Sequence, residues 1–172
     1  LPEDNRGGKA LIPLADLADP TPEAENPAAL FRGGWLRKGG GAFLVSLAGQ
    51  GKSTWTIQAA TCWAMGRAAF GIEPVRPLQI AIVQSEDDAE EVAHFRNQIA
   101  EGLATEDGLD PAEVRAAMEK IMLCDMTGAT GEQFIDRLTG LLKAHPEIDL
   151  VIINPFQSYF GGDVSHNAEL TK

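Results

Sequence analysis

The chain has 172 residues, 44% of them hydrophobic, which suits one ordinary domain with a sizeable core. Its 14 basic and 25 acidic side chains leave a net charge of -11, which argues against a broad nucleic-acid-coating surface but leaves room for a local basic channel. No apolar run approaches the roughly 18 residues that span a membrane, and the acidic, proline-rich start is no secretory signal. Cys62 and Cys124 have no metal spacing and read as free thiols of a reducing cytoplasm.

Residues 1–30 are rich in Pro, Ala, Asp and Glu and read as an arm or linker, and residues 31–172 as the folded core. Within the arm, Leu11, Leu14 and Leu17 offer a short apolar face, and Thr21-Pro22-Glu23 offers a helix start. Gly39 to Gly41 turn the chain into an expected buried strand, Phe43-Leu44-Val45. A glycine loop follows, and a helix is expected from about Lys52 to Met65. Gln79 to Gln84 is short and almost wholly apolar, as in the interior of a parallel sheet. Ser85-Glu86-Asp87-Asp88 then lead into a helix with Val92, Phe95 and Ile99 on one face, with a loop expected from Gly102 to Gly108.

Asp110-Pro111 starts another helix, whose stripe runs through Val114, Ala117, Met118 and Ile121, and Met122-Leu123-Cys124 is the third expected strand. Thr130 and Gln133 have the spacing of a capping box ahead of a helix carrying Phe134, Leu138, Leu141 and Leu142. That helix stops at His145-Pro146, and Asp149 to Pro155 is the fourth strand. Gly161-Gly162-Asp163 reads as a loop, with a helix beginning near Ser165. The start without Met and the abrupt stop at Leu170-Thr171-Lys172 read as a fragment, truncated at its C-terminus. Alternating strands and helices of this kind predict an α/β fold in three layers, a parallel sheet with helices on both faces.

In such sheets ligands gather at the carboxyl ends of the strands. Ala48-Gly49-Gln50-Gly51-Lys52-Ser53-Thr54 has the order of a phosphate-binding loop, with small residues, a lysine and a hydroxyl opening a helix. The full G-x-x-x-x-G-K-[ST] pattern would have glycine where Ser46 stands, so the weight of the motif comes from its surroundings. Lys52 would neutralise the β- and γ-phosphates of ATP, and Ser53 would ligate Mg²⁺. Glu86, ending the second strand, is placed to activate water, although an acid also suits the first turn of a helix. Asn154 would meet a metal-bound water without adding charge, or is a strand-ending turn residue. Trp55 and Trp63 read as packing residues. His94, His145 and His166 read as surface or helix-end residues, and Arg37 and Lys38 as a solvated loop.

The combined pattern resembles the RecA-fold P-loop ATPases, and within them the RepA-like hexameric replicative helicase group of AAA-type ATPases from plasmids and phages. The likeness rests on FRGGWLRKGGGAFLVSLAGQGKST (31–54), VQSEDDAEEV (83–92) and DLVIINPFQSYFGGD (149–163). It implies a RecA-type core that hydrolyses ATP with Mg²⁺, Glu86 as catalytic glutamate beside Lys52, and Asn154-Pro155 at the end of the Walker B strand. It also implies a homo-oligomeric, hexameric ring in the cytoplasm, an arginine finger from a neighbouring subunit, and DNA contacts made by segments beyond this chain. Ser46 and Asn154 depart from the family pattern, which more often has Gly and Asp there. Two other readings stand beside this one, a nucleotide-gated binding module with weak hydrolysis and a P-loop small-molecule kinase. The kinase needs an arginine-rich lid, and only Arg115 and Arg137 follow Arg96.

Overall fold

In the computed structural model, which describes residues 13–16, 18, 19, 21–47, 49–85 and 88–160, three pentapeptides form a parallel sheet. They are β1 (Ile80–Gln84), β2 (Ile121–Asp125) and β3 (Leu150–Asn154), in the order β2-β1-β3. Their register aligns Ile80 with Ile121 and Leu150 at one end, and Gln84 with Asp125 and Asn154 at the other. Four helices complete the core: α1 (Lys52–Ala64), α2 (Ala89–Thr105), α3 (Pro111–Met118) and α4 (Gly131–Ala144).

Side chains alternate across a strand, so each strand serves two cores. Ile80 and Ile82 face α1, α2 and α3, where they meet Ala59, Ala60, Trp63, Ile99, Leu103 and Val114. Ala59 and Ala60 let α1 lie close on the sheet. Val83 faces the other way, into a smaller cluster with Met126, Ala129, Phe134 of α4 and Tyr159. This is the three-layer α/β/α core of RecA type, built here on a small sheet. No described helix is long and apolar enough to cross a membrane.

The first expected strand is not formed. Residues 41–47 have no regular secondary structure, with Phe43 79% and Val45 86% exposed. Just after Val45, the Ser46 and Leu47 carbonyls accept hydrogen bonds from Lys52 Nζ at 3.2 and 2.9 Å. An edge-on contact between the Phe43 and Phe156 rings, 5.8 Å between centroids, joins this segment to the chain just beyond β3.

Three smaller expectations are also corrected. The loop expected from Gly102 begins later, because α2 carries Leu103 into the core before ending at Thr105. Ile121 opens β2 rather than closing the α3 stripe. Thr130 sits at the N-cap of α4 without a side-chain capping bond, and Gly131 behind it has a φ of 53°, outside the helical range. By contrast Asp88 caps α2, its Oδ1 accepting from the Glu90 and Glu91 N–H groups at 2.8 Å, and Asp110 caps α3 ahead of Pro111. Leu14 and Glu23 lie in short 3-10 turns, and the other two leucines of the apolar face lie outside the described residues. The Gly161–Asp163 loop and the helix expected near Ser165 lie outside them as well.

A lead-in segment closes the α1 side. Ala29, Leu30 and Phe31 are buried, and the Phe31 ring packs edge-on against Trp63 at 4.7 Å. Trp63 is a packing residue whose indole Nε1 donates to the Ile72 carbonyl at 3.0 Å. At the amino end of the sheet Asp149 is a clamp. Both its oxygens accept from Arg76 at 2.7 Å, Oδ2 also accepts from the Gln79 N–H, and Lys38 Nζ lies 3.5 Å away. Lys38 is therefore paired rather than merely solvated.

Candidate functional site

The loop before α1 bends where glycine is needed. Gly49 and Gly51 have φ of 74° and 77°, in the left-handed region that side chains with a Cβ enter at a cost. Gly51 is the N-cap of α1 and makes no side-chain capping bond, so the first-turn N–H groups of this 13-residue helix have no side-chain cap. Such an end binds anions through oriented N–H groups and the helix dipole. Lys52 stands at its first position, its ammonium held on the Ser46 and Leu47 carbonyls. Neutral carbonyls are weaker partners for an ammonium than phosphate oxygens, so this contact is one that an anion could displace.

Ser53, the next residue, meets the end of β3. Asn154 Nδ2 donates to Ser53 Oγ at 3.1 Å, bringing two separate parts of the sequence together. Thr54 follows in the first turn of α1, and Gln50 is exposed. Ala48 and Glu86, together with Asp87, lie outside the described residues. Ser85, just before them, has a hydroxyl closed off from solvent and without a hydrogen-bond partner among the described residues. Asp88, Glu90 and Glu91 belong to the capped start of α2.

Sequence reasoning did not single out the row that the register creates. Gln84, Asn154 and Asp125 end three adjacent strands side by side. Gln84 is 5% exposed, a buried amide closing an otherwise apolar strand. That break in the apolar run is the signal that could have found it. Asp125 turns outward and accepts from Thr127 N and Oγ at 2.8 and 2.6 Å, bonds that hold its carboxyl below the usual carboxylate range.

A divalent cation fits this corner in one particular way. Among the described residues no cluster of three His, Cys, Asp or Glu side chains could cage a metal. Mg²⁺ at nucleotide sites needs only one or two protein oxygens, with phosphates and water completing its shell. The Ser53 hydroxyl is a hard oxygen donor, and with Asn154 Nδ2 donating to it, Asn154 Oδ1 is the acceptor that could take a hydrogen bond from a cation-bound water. The donor set therefore suits a cation that arrives with a polyphosphate.

The remaining candidates stay apart from this edge. His145 Nδ1 lies 3.0 Å from Glu147 beyond the end of α4, and His166 is outside the described residues. A cavity of about 470 Å³, lined by Cys62, Arg67 and Asp107 among others, opens at the far end of α1. Burial pushes the Cys62 thiol up, which keeps it protonated and unreactive. Neither cysteine forms a disulfide.

Comparison with known proteins matches residues 12–172 to a family described as an AAA domain, AAA_25. No curated protein and no solved structure matches the chain. The match covers nearly the whole chain and accords with the parallel α/β core and its loop-and-helix edge. The chain belongs to the AAA_25 family of AAA domains and is an AAA-type ATPase.

Proposed function

We propose that this chain binds ATP at the Ala48–Thr54 loop and hydrolyses it with Mg²⁺, as the motor core of a DNA helicase or replication ATPase of the RepA-like group. The observation that carries the reading is the meeting of the uncapped α1 N-terminus with Asn154, through the 3.1 Å contact to Ser53. In this reading the Gly49, Gly51 and first-turn N–H groups cradle phosphate oxygens. Lys52 leaves the Ser46 and Leu47 carbonyls for the β- and γ-phosphates. Ser53 would offer its hydroxyl oxygen to the cation, and Asn154 would accept from a water that the cation carries. The bound magnesium nucleotide supplies the divalent charge and the scissile phosphoanhydride.

Glu86 follows Gln84 by two positions, beyond the end of β1, and takes the role of general base for the attacking water. Residues 31–172 form the ATPase core and residues 1–30 an arm. Function in a cytoplasmic homo-hexameric ring, with an arginine finger from the next subunit and DNA contacts outside this chain, completes the proposal.

A second reading keeps nucleotide binding and drops fast turnover. The neutral Asn154 favours it, because an amide gives the cation corner no charge. ATPase assays on the intact protein, with and without single-stranded DNA, separate the two. Stimulation by DNA that is lost in Glu86→Gln, with binding kept, supports the motor. Binding without turnover supports the gated module, and absence of nucleotide binding overturns both.

A further inference from the structure

We infer that Gln84 is a positioning residue of the cation corner, which holds the Asn154 amide against Ser53. The inference rests on the nucleotide reading of the site and adds a residue to it. Strand alternation puts Gln84 on the face of β1 that carries Ile80 and Ile82, the face packed against α1. Asn154 shares a face of β3 with Leu150 and Ile152, which pack against the same core. Gln84 and Asn154 are partners in the parallel register, so they are neighbours on that face, one strand spacing of about 4.8 Å apart.

Chemistry gives the pairing its meaning. A buried amide is an unfavourable choice in a core strand unless its polar groups are used. An apolar residue would continue the run Ile80-Ala81-Ile82-Val83 equally well. Asn154 has its own amide to orient, and whether Nδ2 or Oδ1 faces Ser53 decides what the corner offers a hydrated cation. A neighbouring amide carries both donors and an acceptor, and so can fix that orientation. Groups that orient metal partners in this way typically change metal affinity about 10- to 100-fold when removed.

The test is equilibrium binding of a fluorescent ATP analogue to the intact protein at graded Mg²⁺ concentrations and in EDTA. Gln84→Met keeps the length of the side chain and removes the amide, and Gln84→Leu is the second variant should the first fail to fold. The expected result is a rise of about ten-fold in the Mg²⁺ concentration for half-maximal binding, with affinity in EDTA unchanged. In an Asn154→Ala background the same substitution should add nothing. An unchanged Mg²⁺ requirement, or an equal shift in the Asn154→Ala background, overturns the positioning role while the nucleotide reading stands. Failure of the unsubstituted protein to bind the analogue at any Mg²⁺ concentration removes both.

Discussion

Asn154 Nδ2 donates to Ser53 Oγ at 3.1 Å, joining the end of β3 to the first turn of α1 across 101 positions of sequence. The bond brings a neutral amide to the place where a carboxylate would bring charge. Asn154→Asp keeps the size and reach of the side chain, and its carboxylate can accept from the Ser53 hydroxyl. The Mg²⁺ concentration for half-maximal ATP binding should therefore fall, with melting temperature little changed. Loss of folding would mark Asn154 as structural and remove it from the cation corner.

Lys52 is poised but engaged. Its ammonium rests on two carbonyls of its own loop, in a solvated setting, and contributes little to the fold. Lys52→Ala should leave the thermal melt nearly unchanged while ATP affinity drops by about 2–3 kcal/mol, on the order of a hundred-fold. Calorimetric titration reads this directly. Unchanged affinity would sink the assignment of the loop.

Much of the fold follows from local rules. The apolar run Ile80 to Val83, the Asp110-Pro111 start and the Gly49-Gln50-Gly51-Lys52 turn each declare their structure within a few residues. Of the candidate site, Lys52, Ser53 and Asn154 stand out by residue type, and the structure adds the contact between the last two, while their roles belong to the proposal. What escaped was relational. Nothing near Gln84 announces that the register will align it with Asn154 and Asp125, and nothing near Asp149 announces Arg76 and Lys38. Phe43-Leu44-Val45 failed for the same reason. Its composition suits a strand, but a strand also needs a partner ladder, and composition does not specify one.

That difference can be measured by comparing two aliphatic residues. Ile80 is fully buried, in the core that β1 shares with α1. Ile80→Ala should cost about 3 kcal/mol by denaturant unfolding, through lost burial and the cavity left behind. Val45 is exposed, and Val45→Ala should change stability by less than about 0.5 kcal/mol. A cost of 2 kcal/mol or more at Val45 would put it in a core and restore the strand reading of its segment.

The Asp149 clamp makes stability depend on acid. Its side chain is 8% exposed, and the Arg76 guanidinium, followed by the Gln79 N–H and Lys38, holds its carboxyl below the usual carboxylate range. Since the folded pKa lies below the unfolded one, near 3.9, the contribution is complete above that value and is lost as pH falls through the folded pKa. Arg76 and Lys38 are about half exposed, so solvent screening trims the effect, and Asp149→Asn should cost about 1–2 kcal/mol at pH 7. Urea unfolding at a series of pH values should show the gap between the two proteins holding steady above pH 5 and narrowing below about pH 4. A gap that stays constant into the acid range would mean that Asp149 acts through shape and neutral hydrogen bonds rather than through its charge.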